Sequence, residues 1–306
     1  GRIFVSGEDA GPFLDYLSPS SIASLPTGKA KYTVFLNPAG GVKDDLIIYR
    51  IEERRFVVVC NAVNREKILA WMQEWKPAGV EISDGTFEWA LIAVQGPQAV
   101  PLLSGLLHRD YSSLPRFGVT SFSYDFYQGL LARTGYTGED GMEVFLPAGV
   151  AGKFWNLLRG KEVVPCGLAA RDSLRLEAGL PLYGHEWTEE ITPLQVGFEW
   201  LVDWKKDFIG KSALLKEKSG PLPRTLLALV VLNSGVARAG HQVYFEGKPV
   251  GAVSSGTFAP FLKKSIALFF SWQPLQVGEK VEVIIRQVPH PAEIVPRPFY
   301  KRRERK

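Results

Sequence analysis

Ser219-Gly220-Pro221-Leu222-Pro223 divides the chain into two kinds of text. Two prolines, a glycine and a serine within five residues read as a linker. After it, residues 225–300 hold about six β-rich runs separated by turn signals, Glu246-Gly247-Lys248 among them, and no helical period. That pattern predicts a small antiparallel barrel or Greek key. Before it, residues 1–205 mix strands and helices in an order that fits split α/β sandwiches and not a parallel Rossmann sheet.

Working back from the linker, the run 168–177 is helical, as is 150–158. Residues 122–148 read as a hairpin, with 124–136 as one arm, 137–141 as the turn and 142–146 as the return. A strand over 87–94 leads into a helix opened by Gly96-Pro97. Asn64 stands where it can cap a helix carrying Ile68, Trp71, Met72 and Trp75. Two neighbouring β-rich runs, 45–51 and 56–63, precede it, and KYTVFL (31–36) precedes them. Near the start, Phe13, Leu14 and Leu17 share one face of a short helix. The first residues, Arg2-Ile3-Phe4-Val5, already read as a strand, with no initiator Met before them, so the expected reading is a chain whose true start is lost.

Composition narrows the function. Eight Trp and eighteen Phe supply enough apolar surface to exclude disorder as the main state. No apolar run approaches the ~20 residues of a membrane span. The net charge of +4 comes entirely from the tail 301–306, so the body is neutral and carries no nucleic-acid footprint. That tail reads either as a solvated end or as a steering patch for an acidic carrier. Cys60 and Cys166 form no disulfide framework and are expected as core or near-core residues. The four His are scattered, so no metal site is expected.

Three stretches could carry chemistry. In GGVKDDLIIY (40–49), Asp45, Ile47 and Tyr49 share one strand face. Asp45 would then be partly desolvated and able to stabilise a cation, or the Asp pair simply ends a loop. In RTGYTGEDGMEVF (133–145), Glu143 opens an apolar strand. It is either a solvated hairpin end or a carboxylate suited to a planar array of N–H donors. No P-loop is present, since the Gly-Lys-Ser/Thr ending is missing. In GLAARDSLRLEAGLPLYGHE (167–186), Arg171 and Arg175 are i,i+4 neighbours, with Asp172 placed to pair with Arg175. They suit an anionic ligand tail, or they form a salt-bridged surface helix.

Taken together and in order, these stretches, with VQGPQA (94–99), KDFIGK (206–211) and SSGTFAPFLKKSIAL (254–268), resemble the aminomethyltransferase (T-protein) family of the glycine cleavage system. The resemblance covers residues 1 to about 300. It implies an α+β, multi-domain cloverleaf around a folate site: two intertwined α/β sandwich-like parts in 1–205, a linker over 206–223, a C-terminal antiparallel β-barrel over 224–300 and the basic tail 301–306. It implies transfer of a one-carbon unit from the aminomethyl-lipoyl arm of H-protein to tetrahydrofolate as co-substrate. The products are 5,10-methylenetetrahydrofolate, ammonia and dihydrolipoyl-H-protein. The partners implied are H-protein and tetrahydrofolate, without metal, nucleic acid or membrane. The implied compartment is the bacterial cytoplasm, or the mitochondrial matrix in a eukaryote.

Carried over by position, Asp45 matches the catalytic aspartate and Glu143 the pterin-binding glutamate. Arg171 matches a substrate-site arginine, and Tyr32, Tyr49, Asn61 and Tyr136 match positions around the folate and the lipoyl entrance. Phe299 and Tyr300 fall near a C-terminal aromatic of the family.

Two departures stand out. The family's segment before the first strand is missing, which would leave Arg2–Val5 as an exposed edge. Lys43 before the Asp pair is unusual, and it is expected to lower the pKa of Asp44 or Asp45. The alternatives are a folate-binding homologue without transferase activity, or an inactive fragment that only binds H-protein. Relatives in iron–sulfur-cluster assembly carry a Cys motif where this chain reads Lys206-Asp207-Phe208-Ile209-Gly210-Lys211, without Cys. A dimethylglycine or sarcosine oxidising enzyme would add a flavin domain, and no GxGxxG fingerprint is present.

Overall fold

The computed structural model describes residues 1–302. The first sheet is antiparallel, formed by β1 (Arg2–Ser6), β2 (Lys29–Leu36), β3 (Val42–Glu52), β4 (Arg55–Cys60) and β5 (Glu81–Asp84), in the order β2-β3-β4-β1-β5. The helices α1 (Ala10–Leu17) and α2 (Arg65–Trp75) cover one face. Phe13, Leu14 and Leu17 from α1, with Ile68, Trp71 and Met72 from α2, bury against Ile3, Ile48 and Val58 of the sheet.

The second sheet is formed by β6 (Trp89–Gln95), β7 (Val119–Tyr124), β8 (Tyr127–Ala132) and β9 (Gly141–Pro147), in the order β6-β9-β8-β7. Its outer face is covered by α3 (Ala99–Leu106) and α4 (Ala148–Arg159), through Leu103, Phe154 and Leu158. The inner faces of the two sheets meet: Ala30, Tyr49 and Val57 pack against Val119, Ala132 and Phe145. Backbone bonds stitch the sheets at one edge, Ala30 N to Phe117 O at 2.7 Å and Val119 N to Gly28 O at 2.8 Å. The result is four layers, helices–sheet–sheet–helices.

Next, α5 (Leu168–Glu177) and α6 (Lys211–Lys218) lead to a closed antiparallel barrel. It is built of β10 (Thr225–Val231), β11 (Gln242–Phe245), β12 (Lys248–Ala259), β13 (Lys264–Ser271), β14 (Lys280–Ile285) and β15 (Val288–Val295). Alternation sorts β13 cleanly. Ala267 and Phe269 fill the barrel, whereas Ile266 and Leu268 join Leu176 and Trp187 in the core beneath α5. The stretch 206–223 carries α6 and buries Phe208, Ile209 and Leu214. Among the described residues no helix is long and apolar enough to cross a membrane.

The structure corrects several expectations. β1 is no exposed edge, because β4 pairs on one side and β5 on the other. The β5 strand, EISD, is short and polar and carries little sequence signal. The hairpin arm read as 124–136 is broken: Tyr124 ends β7, β8 ends at Ala132, and 133–140 is a loop. The run read as 56–63 leaves the sheet at Cys60 and turns into a 3₁₀ segment, Ala62–Asn64. Cys60 is buried, but Cys166 is exposed, just ahead of α5.

Candidate active site

A glycine turn delivers β3 to the site. Gly40 has φ +85°, and a Cβ on Gly41 would lie 1.8 Å from the Glu189 carbonyl oxygen, so only glycine fits there. Asn37 closes the turn, accepting from Gly41 N at 3.0 Å and donating to Glu189 O at 3.0 Å. Two aspartates follow with opposite fates.

Asp44 is fully buried. Its Oδ2 accepts from Asn61 N at 2.9 Å, and its Oδ1 accepts from the side-chain amides of Asn61 at 2.8 Å and Asn64 at 2.6 Å. Burial pushes its carboxyl above the usual range, and these donors, with the Lys67 charge, oppose the shift. Asp45 lies on the opposite face and is partly exposed. Its Oδ2 accepts from Tyr32 OH at 3.1 Å and its Oδ1 from Asn61 Nδ2 at 2.9 Å. Tyr32 is held in turn by Trp187 Nε1 at 3.2 Å. Burial first, then the charge of Asp44, raises the Asp45 pKa to about 7.

Four residues along the same strand, Tyr49 reaches the second sheet. Its hydroxyl donates to Glu143 Oε2 at 3.0 Å and lies 3.2 Å from Thr134 Oγ1, which itself donates to Glu143 Oε2 at 2.5 Å. These donors occupy Oε2, and among the described residues none donates to Oε1. The Tyr49 ring packs edge-on against Phe145 at 5.1 Å. Burial, with the Glu143 carboxylate beside it, pushes the Tyr49 phenol well above its usual range.

Tyr136 donates its hydroxyl to Pro181 O, and the exposed Arg171 guanidinium sits 4.6 Å over its ring. Burial and then the charge of Asp45 push the Tyr136 phenol up. Thus Asp45, Tyr32 and Asn61 form one hydrogen-bonded group, Tyr49 and Glu143 a second, and Tyr136 with Arg171 a third. Arg175 is not available to a ligand. It is 1% exposed and donates to Asp172 at 2.8 Å and Glu186 at 3.1 Å. Phe299 packs into the core beside the barrel, and Tyr300 donates its hydroxyl to Glu139.

Lys43 does not serve Asp44 or Asp45. Its ammonium lies 3.4 Å from Glu189 and 4.3 Å over the Trp71 ring, and both aspartates are raised instead of lowered. Asn64 makes no side-chain cap at the start of α2, because its amide is spent on Asp44. Of the basic tail, Arg302 lies 3.4 Å from Asp140, and positions 303–306 fall outside the described residues.

Neither Asp45 nor Glu143 has an ion-pair partner among the described residues; neutral hydroxyls and amides hold both. Comparison with known proteins gives this arrangement a family. Residues 1–206 match the model of the GCVT N-terminal domain, and 224–301 match that of the glycine cleavage T-protein C-terminal barrel domain. The aminomethyltransferase of Thermosynechococcus vestitus is 40% identical over 304 residues, 99% of this chain and 83% of that protein. The chain belongs to the glycine cleavage T-protein family of aminomethyltransferases.

The aminomethyltransferase of Bacillus subtilis is also 40% identical, over 99% of this chain and 86% of its own length. The crystal structure of the glycine cleavage system aminomethyltransferase T from Bartonella henselae matches all of this chain and 85% of its own, with a TM-score of 0.91 at 32% identity. Within this T-protein fold, residues unassigned from sequence also contribute. Thr134 supports Glu143, Asn64 supports Asp44, and Glu186 with Ser254 and Ser255 supports Arg175. Thr134, Glu186 and both serines lie inside the family stretches. Their partners, however, are 9 to 80 residues away, beyond any local period.

Proposed function

We propose that the chain moves the one-carbon unit of an aminomethyl group, carried on the lipoyl arm of H-protein, to tetrahydrofolate, releasing ammonia and dihydrolipoyl-H-protein and giving 5,10-methylenetetrahydrofolate. The observation that carries this reading is the pair of carboxylates, Asp45 and Glu143, fixed by neutral donors and paired with no cation among the described residues. Such carboxylates are free to answer a ligand's N–H groups or a developing positive charge. Tetrahydrofolate, when bound, supplies the amine that accepts the carbon.

The protein's share is positioning and charge. Glu143 keeps Oε1 open to accept from a pterin N–H, and Tyr49 and Thr134 hold the carboxylate still through Oε2. Asp45, oriented by Tyr32 and Asn61, stabilises the positive charge that grows on the one-carbon unit as ammonia leaves. Its pKa of about 7 also suits proton exchange with the departing nitrogen near neutral pH. Holding two reactants together supplies much of the acceleration, so no covalent intermediate on the protein is required. Arg171 is the cation placed for an anionic tail of the folate. The setting proposed is the bacterial cytoplasm, a reading supported by bacterial relatives.

The test is calorimetric titration with 5-formyltetrahydrofolate of the chain and its Glu143→Ala and Asp45→Ala variants, alongside H-protein-dependent turnover. The expected result is binding lost with Glu143→Ala but kept with Asp45→Ala, and turnover lost in both. A cooperatively melting chain that binds no folate would overturn the reading.

A further inference from the structure

The barrel reaches the site through two consecutive serines. The β12–β13 register shifts between Val253 and Ser255, where Val253 faces Phe269 and Ser255 faces Leu268, so Ser254 is an inserted residue. In a regular strand neighbouring side chains point to opposite faces. The bulge lets both hydroxyls meet the same buried ion pair. Ser254 Oγ donates to Glu186 Oε1 at 2.5 Å, and Arg175 Nη2 donates to Ser255 Oγ at 2.8 Å. Arg175 is 1% exposed and Glu186 is not exposed at all.

This pair grips a short segment of backbone from both sides. Arg175 Nη1 donates to Leu180 O at 3.1 Å, and Leu182 N donates to Glu186 Oε2 at 3.0 Å. Between them lies Pro181, whose carbonyl accepts the Tyr136 hydroxyl. One helical turn before Arg175, Arg171 lies over the Tyr136 ring.

We propose that Ser254 and Ser255 are positioning residues: through the Arg175–Glu186 pair they fix the Pro181 carbonyl, and through it Tyr136 and Arg171. The barrel thereby sets the geometry of a pocket to which it gives no reacting group. A buried pair depends on such donors and acceptors, since the lone pairs and protons left over must be satisfied. The role of Tyr136 and Arg171 toward folate rests on the function proposed above.

The experiment uses the full chain with Ser254→Ala/Ser255→Ala. Hydrogen exchange in the ligand-free protein is followed at 179–187, with 44–52 as the internal control. Faster exchange at 179–187 alone is expected. In turnover, KM for tetrahydrofolate should rise about tenfold, the loss of roughly one hydrogen bond's worth of binding, with kcat and KM for H-protein nearly unchanged. Unchanged exchange at 179–187, or kcat and both KM values falling off together, overturns the proposal. Should the double variant not fold, Ser255→Ala and Ser255→Thr decide it. Loss with Ala and retention with Thr supports positioning by the hydroxyl, and equal behaviour refutes it. If the unmodified chain binds no 5-formyltetrahydrofolate, the functional reading fails, while the exchange measurement still decides the clasp.

Discussion

The side-chain amide of Asn64 donates to Asp44 Oδ1 at 2.6 Å, although Asn64 stands at the start of α2. A helix cap and a buried-carboxylate donor respond differently to substitution. As a cap, Asn64→Asp would be nearly neutral. As a donor, it sets a second carboxylate against a fully buried one. Asn64→Asp is therefore expected to destabilise more than Asn64→Ala, itself costing about 1.5–3 kcal/mol for one lost hydrogen bond to a charged group, since Asn61 still donates to Oδ1. Urea melts of both variants give the order directly, and the reverse order would restore the cap.

Asp45 binds its proton more tightly in the folded chain than in the unfolded one, with a pKa of about 7 against an ordinary 3.8. The folded state thus holds the extra proton between those values, and stability falls as pH rises through the window. Asp45→Asn removes that loss. Its melting temperature is expected to exceed that of the unmodified chain by about 3 °C or more at pH 8, with the gap closing near pH 4. A constant gap across pH would refute the shift.

Tyr49→Phe keeps the ring against Phe145 but removes one donor from Glu143 Oε2. Thr134 retains the other. Affinity for 5-formyltetrahydrofolate should fall about 5–10-fold, as befits one hydrogen bond, against a loss beyond about 100-fold for Glu143→Ala. Calorimetry separates the two: equal losses would mean that Thr134 alone cannot hold the carboxylate, and no loss would mean that the tyrosine ring, not its hydroxyl, supports the pocket.

Lys43 spends its ammonium on Glu189 and the Trp71 ring. Lys43→Gln should therefore leave the acid limb of the rate–pH profile in place and cost no more than about 1 kcal/mol of stability. A limb displaced upward on substitution would show that the lysine acts on Asp45 after all.

The architecture was legible where one residue's environment follows from its immediate neighbours. The barrel strands alternate, and β13 sends its odd and even residues to separate cores. Asp45 and Glu143 could be picked out as acids at the mouths of apolar strands. Legibility ended where distant groups decide. The arm read through 124–136 has strand-forming residues, but Arg133 forks onto Asp140 at 3.0 and 2.6 Å and closes 133–140 into a loop. β5 exists because β1 has backbone groups to satisfy, not because EISD favours a strand. The division of labour between Asp44 and Asp45 depends on Asn61 and Asn64, 16 to 20 residues downstream.

Asp45 and Tyr49 ride on one continuous strand, β3, paired on both sides by β2 and β4. At ~3.3 Å per residue their Cα atoms are about 13 Å apart, and the pleat fixes that spacing. β3 is thus a gauge block: loops around it can vary without altering the distance between the end that carries Asp45 and the end that steadies Glu143. A different spacing could not be reached by inserting or deleting one residue between them, because that would turn one of the two side chains to the other face. Relatives that adapt to a ligand of another length must do so in the segments that close over the strand, and leave the gauge alone.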